Sequence, residues 1–392
     1  MRCALSDGRT VDLGYCYNVL PGESAAALAL QARRICGPVR ARLGVERMGV
    51  GLWIARAAAT ELVSDPAARR ALAAALREQG LYVYTLNGFP YGGFHAPRVK
   101  HAVFEPSWAA PERVDYTLDL ATLLAELLPD ELGGGSISTV PLGPSTVDRA
   151  RAADGLRRCA DGLAALAART GRTIDVGLEP EPGAGFERVD ALAAYLAAAR
   201  TGPRIGACLD CCHAAVVDEA PAAAFAALDA AGVTCSKIQL SSALVVPRPA
   251  DDAQRAALAG FDEPRFLHQV RSARGGAMDL PDALATLDRG VPWRVHFHVP
   301  VHDADAGILS TTRDAIAPVL AAALARPGPL PQLEVETYTW SVLPAARRPT
   351  DDAGLVDGIA RELAWARELV ATIAPSALST PIAPNAPAGA HR

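Results

Sequence analysis

A (β/α)8 barrel is the fold that this 392-residue chain predicts. Short apolar runs bounded by chain breakers alternate with alanine-rich amphipathic stretches along almost the whole length. The runs are close to continuously apolar, which marks a parallel sheet covered by helices. Eight or nine such repeats suit a closed barrel better than an open sheet. The Gly-x-Gly-x-x-Gly turn of a dinucleotide-binding sheet is also missing after the first strand.

The candidate strands lie at 13–18, 48–54, 81–87, 136–141, 173–179, 205–210, 235–241, 293–299 and 332–337, each rich in apolar and β-branched residues. Helical patterns fill the intervals at 57–79, 111–128, 147–170, 189–200, 221–231 and 312–325. Nine strands are one too many for eight positions, so either 293–299 or 235–241 is an extra strand or an extended loop. Two segments break the alternation. Residues 88–111, after the third strand, are aromatic and rich in Gly and Pro; residues 242–280, after the seventh, are polar with prolines. Both leave C-terminal strand ends, where barrel enzymes keep lids and substrate loops. The barrel domain is expected over residues 10–374, and the Pro/Ala/Ser-rich stretch 375–392 reads as a disordered tail.

Half the residues are apolar, enough for a large core, and the net charge is −5 with acids and bases interspersed. Lys100 and Lys237 are the only lysines. Without a basic stripe there is no expected nucleic-acid partner or anionic membrane. The N-terminus has no apolar leader region, and no stretch approaches the roughly 18 apolar residues of a membrane span. The eight cysteines follow neither a disulfide-scaffold nor a zinc-finger spacing. They read as buried reduced thiols of a cytoplasmic protein.

The chemistry gathers at strand ends. Ile205-Gly206-Ala207-Cys208-Leu209 runs into Asp210 and, three residues on, His213. Alone, that pair could be a helix cap and a surface histidine. The neighbouring ends carry similar groups, however. The fifth strand presents Glu179 and Glu181, and the seventh Lys237 and Gln239. The segment Arg294-Val295-His296-Phe297-His298-Val299-Pro300-Val301-His302 puts three histidines on one parity. The last strand brings Glu334 and Glu336, the former a candidate ion-pair partner one step deeper. Carboxylates and imidazoles converging on one mouth would repel in a low-dielectric site, and a divalent cation removes that penalty. Glu179, Asp210, His213, His296, His298 and Glu336 are therefore the candidate ligands. Mixed oxygen and nitrogen donors suit Mn²⁺, Zn²⁺ or Fe²⁺, and a thiolate joins only if Cys211 turns inward. Asn18 and Asn87 end the first and third strands. Together with Trp53, Tyr91, His95, Glu181, His302 and Trp340 they are the candidate substrate contacts, supplying aromatic walls over a polar floor.

The stretches Leu209-Asp210-Cys211-Cys212-His213, Leu178-Glu179-Pro180-Glu181-Pro182 and Glu336-Thr337 resemble the xylose isomerase-like TIM barrels, which include sugar isomerases and epimerases and endonuclease IV-type nucleases. The likeness covers roughly residues 10–370. More narrowly, Leu13-Gly14-Tyr15-Cys16-Tyr17-Asn18, Gly51-Leu52-Trp53, the 85–95 segment, Gly135-Ser136-Ile137-Ser138-Thr139 and Glu336-Thr337-Tyr338-Thr339-Trp340 resemble the EboE family, named for metabolite traffic. The superfamily likeness implies metal ligands at Glu179, Asp210, His213 and Glu336. It also implies a seventh-strand histidine, where this chain has Gln239 unless His296 or His298 takes the role. It further implies proton transfer next to a carbonyl of a small polyhydroxylated metabolite, relayed by Glu179 and Glu336, with Lys237 a further catalytic candidate. The EboE likeness implies export of a metabolite with partners from the same operon, and leaves open a non-catalytic binding protein with a vestigial metal site. The nuclease branch fits less well: the third and fourth strands end in Asn87 and Thr139-Val140-Pro141 rather than histidines, and the chain is acidic.

Overall fold

A computed structural model describes residues 1–373; the tail expected over 375–392 lies outside the described residues. Eight parallel strands close on themselves: β1 (Thr10–Cys16), β2 (Met48–Trp53), β3 (Leu81–Asn87), β4 (Gly134–Thr139), β5 (Thr173–Leu178), β6 (Ile205–Asp210), β7 (Cys235–Leu240) and β8 (Gln332–Val335). Each pairs with its neighbours in sequence, and β8 returns to β1 with Leu333 opposite Leu13. A short strand, Arg2–Ala4, runs antiparallel to β1 at the barrel's edge. Helices cover the outside, as near-continuous burial along every barrel strand requires.

The helical stretch expected over 57–79 is two helices, Arg56–Ser64 and Pro66–Glu78. Pro66 has no N–H to continue the first, and Asp65 caps the second by accepting from Ala67 N at 2.7 Å. The ninth candidate strand is resolved in favour of β7. Only Trp293–Val295 of the 293–299 segment is extended, and it lies outside the barrel. It belongs to a six-stranded sheet in the order Gly275–Ala277, Val270–Ser272, Trp293–Val295, Leu244–Val246, Leu309–Thr311 and Asp305–Ala306, antiparallel throughout. The polar insertion expected over 242–280 is thus part of a larger module between β7 and β8. Its strands are mostly three residues long, too short to show a period. The aromatic segment after β3 packs against this module. Val99 N and Lys100 N both donate to Arg265 O, and Lys100 Nζ pairs with Asp279 at 2.6 Å.

The barrel centre is polar. Lys237 and Glu334 form an ion pair with neither side chain exposed, and Lys237 Nζ also donates to Ser138 Oγ at 3.2 Å. Glycines make the room. A Cβ at Gly51 would fall 1.4 Å from Glu334 Oε1, and one at Gly14 2.7 Å from the Tyr84 hydroxyl. All eight cysteines are free thiols, and no helix among the described residues is long and apolar enough to cross a membrane.

Candidate metal centre

Local chain chemistry places each carboxylate. Pro180 and Pro182 have no N–H for a ladder, so the chain leaves the barrel just after β5. The Glu179 N–H still donates to Thr139 O at 3.0 Å, fixing that residue at the rim. At the end of β6, Asp210 begins the helix Cys211–Val216, accepting from His213 N at 2.8 Å through Oδ1. The cap and the site are one residue: Oδ1 serves the helix, while the buried Oδ2 has no partner. The same helical turn aims His213 at Pro180 O, 3.0 Å from Nδ1. After β8, Glu336 N donates to Leu240 O at 3.0 Å. The Glu336 Oε1 accepts from Asn18 Nδ2 at 2.6 Å and Asn87 Nδ2 at 3.2 Å, while Oε2 is left free.

The insertion supplies two further imidazoles. His296 Nδ1 lies 2.6 Å from Gln269 Oε1, and Gln269 Nε2 donates to Glu181 Oε1 at 3.1 Å and Pro182 O at 2.7 Å. His298 Nδ1 lies 3.0 Å from Glu336 O, and its Nε2 has no partner. Tyr338 packs on the His298 ring at 4.7 Å between centroids.

Donor atoms of Glu179, Asp210 and Glu336 lie within 4.8 Å of one another, as do those of Asp210, His213 and His298, and those of Cys212, His296 and His298. The free atoms Glu179 Oε2, Asp210 Oδ2, Glu336 Oε2 and His298 Nε2 are all buried. Buried polar atoms seldom stay unpaired, and three carboxylates seldom meet without a cation. Burial, then Glu336 and Asp210, holds Glu179 well above the carboxylate range; burial, then Asp210 and Glu334, does the same for Glu336. Burial lowers His213 to about 4 despite the attraction of Asp210. These residues fit a divalent ion with mixed oxygen and nitrogen donors. The thiol that comes into reach is Cys212, one place beyond the residue singled out in the sequence.

A cleft of about 500 Å³, part of it open solvent, lies above this floor. Asn18, Asn87, Glu179, Glu181, His213, His296, His298 and Glu336 line it beneath a lid of Phe89, Phe94, Phe266 and Tyr338. Other expected residues lie elsewhere. Gln239 stays inside the barrel beside Cys208, whose Sγ is 3.3 Å from its Oε1. Lys237 sits deeper, committed to Glu334. Trp53 is turned into the lid, donating from Nε1 to Pro90 O at 2.8 Å, and Tyr91 packs edge-on against Tyr116. His95 is behind the cleft wall, with Nε2 2.9 Å from Asn18 O. His302 faces away beside Asp303, because the chain turns at Pro300 and parity ends there. Trp340 fails for the same reason: a 3₁₀ turn over Tyr338–Val342 replaces the strand, and its indole donates to Tyr15 and Glu362 at the barrel's flank. Sequence reasoning missed Gln269, Phe266 and Tyr338. Only Tyr338 carried a signal, two residues beyond Glu336.

Removing metal should make stability pH-dependent. Burial raises Glu181 to about 8, against the donation from Gln269. Between about pH 6.5 and 8, the unfolded carboxyl is already ionised while the folded one keeps its proton, so stability falls as pH rises. At about 1.4 kcal/mol per pH unit for one proton, Glu181 alone should contribute a loss of roughly 2 kcal/mol across that window. The buried histidines act the other way near pH 6.5, where an unfolded imidazole is about half protonated and the folded ones are neutral. Urea unfolding of the chelated wild type and of Glu181→Gln, at pH 6.5 and 8, isolates the Glu181 contribution; the same profile in both would remove Glu181 from the account.

The fold and site define a parallel α/β barrel whose C-terminal mouth gathers carboxylates and imidazoles fit for a divalent ion. The chain belongs to the xylose isomerase-like TIM-barrel family, whose model matches residues 41–290. Among solved structures it is similar to a xylose isomerase domain protein from Planctomyces limnophilus: 15% identity over 95% of this chain and 99% of that one, TM-score 0.51. It is also similar to D-psicose 3-epimerase, solved with D-tagatose, from Clostridium cellulolyticum H10: 12% identity over 92% and 99%, TM-score 0.50. At these identities the likeness is one of fold. No curated protein matches the chain.

Proposed function

We propose that this protein is a divalent-metal-dependent isomerase or epimerase acting on a small polyhydroxylated metabolite by proton transfer next to a carbonyl. The observation that carries this reading is the pair Glu179 and Glu336. They come from different barrel strands, and each presents one free buried oxygen to the same point. Burial and neighbouring carboxylates hold both carboxyls above their usual range, which favours one of the pair keeping a proton. A bound divalent ion would grip adjacent substrate oxygens and polarise the carbonyl. One carboxylate then takes the proton from the carbon beside the carbonyl, whose bonding pair becomes the enolate double bond. The other, protonated at the outset, returns its proton to the opposite face. Asn18 and Asn87, both donating to Glu336 Oε1, keep Oε2 turned to the substrate. The aromatic lid supports a ligand with one apolar face and helps exclude water. Paired with Glu334 and donating to Ser138, Lys237 supports this chemistry as a fixed charge rather than as a base.

The test is solvent exchange. Metal-loaded protein in D₂O should place deuterium beside the carbonyl of a ketose or aldose from a defined panel, and Glu179→Gln or Glu336→Gln should each slow this by about 10²–10⁴-fold. No exchange into any member would overturn the reading.

A second reading is a metabolite-binding protein in an export system, as the EboE resemblance implies, with partners encoded beside it. Its support is that segments carrying that resemblance supply Asn18, Asn87 and Glu336, with both asparagines donating to Glu336 Oε1. Sugar binding with no exchange would favour this alternative. A nuclease is the weakest reading, since Asn87 donates to Glu336 where that branch needs a ligating imidazole. The free buried thiols support a cytoplasmic location.

A further inference from the structure

The last helix, Asp352–Ile373, carries a carboxylate on the face it turns inward. Glu362 is fully buried there among Val356, Ile359, Leu363, Ala366 and Val370. Burying an ionisable group costs free energy that an apolar residue on this face would not incur. Four donors from distant parts of the chain offset that cost. Oε1 accepts from Val301 N at 3.0 Å and from Thr337 Oγ1 at 2.6 Å. Oε2 accepts from the Tyr15 hydroxyl at 2.7 Å and from Trp340 Nε1 at 3.2 Å. One turn earlier Gly358 admits the indole, since a Cβ there would fall 2.5 Å from Trp340 Cη2. Burial still raises this carboxyl to about 7, against all four donations.

Two of those donors sit beside candidate metal ligands. Thr337 directly follows Glu336, and Val301 lies three residues after His298 in the inserted module. The two segments are also laced to each other. His298 Nδ1 lies 3.0 Å from Glu336 O, and Thr339 Oγ1 donates to His298 O. We propose that Glu362 is a positioning residue, holding Val301 and Thr337 so that His298 Nε2 and Glu336 Oε2 face the metal centre. It acts from outside the cleft, through the backbone of both segments. The role needs an acceptor for Val301 and Thr337, not a charge. Glutamine supplies one, because its oxygen can take both of those bonds while its amide donates to Tyr15. The Tyr15 hydroxyl then turns to Thr337 O, 3.3 Å away, and still accepts from Trp340 at 2.9 Å. Leucine supplies none of this.

This inference rests on reading the mouth as a metal centre, and Mn²⁺ titration of chelated, folded protein separates the two. Glu362→Leu should bind Mn²⁺ about 10-fold more weakly than the wild type, the lower end of what losing a ligand's outer partner costs. Glu362→Gln should stay near the wild type. Leu363→Ala, on the same buried face, should unfold at lower denaturant yet keep its affinity for Mn²⁺. A residue that only stabilises the helix would behave as Leu363 does. Wild-type affinity in folded Glu362→Leu, or an equal loss in Leu363→Ala, would overturn the positioning role and leave the metal centre standing. No Mn²⁺ uptake by the wild type would sink both. If Glu362→Leu does not fold, Thr337→Val keeps the side-chain shape and removes one of the four bonds. It should also weaken Mn²⁺ binding, and unchanged affinity would count against the role.

Discussion

Asp210→Asn should leave the purified protein without tightly held metal while barely changing its stability. Asp210 has two jobs on two oxygens: Oδ1 caps the helix Cys211–Val216, and Oδ2 is a free donor in the carboxylate group. Asparagine caps as well as aspartate, so the helix start is kept and only the charge is lost. Loss of an outer partner of a ligand costs about 10–100-fold in metal affinity, and loss of a shared ligand should cost more. Asp210→Ala removes both jobs and should add a capping penalty of about 1 kcal/mol. Metal content by mass spectrometry and unfolding of the chelated proteins separate these effects. Full metal occupancy in Asp210→Asn would refute the carboxylate site.

The largest stability loss is expected from Lys237→Met. Burial opposes the Lys237 charge, but Glu334, foremost among its neighbours, holds the ammonium above its usual range. Deleting that charge leaves a carboxylate uncompensated in the barrel centre, which costs about 3–5 kcal/mol where a buried pair loses one member. Lys237→Met with Glu334→Leu should recover much of the loss, because the orphaned charge disappears with its partner. The space behind Glu334 is bounded by the backbone of Gly51, so leucine must fit the same gap. Denaturant midpoints for the single and double variants decide the matter. Equal destabilisation by both would mean packing, not charge, governs this spot.

The barrel was readable because parallel strands announce themselves as continuous apolar runs, and the polar residue ending each run marks the mouth. Glu179, Asp210, His213 and Glu336 are all local features of that kind: a strand tip, a helix cap, the turn after it. Alternation misled where the strand stopped earlier than the pattern. Pro300 turns His302 away, and the 3₁₀ turn after Glu336 sends Trp340 to the flank while putting Tyr338 on the site. The choice among Gln239, His296 and His298 was illegible for another reason. It depends on how a module of three-residue strands docks on the barrel, and such strands leave no period in the sequence. Gln269 had no signal at all, since its importance comes only from standing between Glu181 and His296.

The inserted module lies between β7 and β8, and that placement sets the order in which a newly made chain can assemble its mouth. Glu179, Asp210 and His213 leave the ribosome well before His296, His298 and Glu336. Until the last of these emerges, the barrel is an open sheet with two acidic tips and half of a chelate. A fragment stopping short of β8 lacks Glu336 and the strand that closes the ring. Any ion held by this group would therefore be captured only after the last barrel strand has been made.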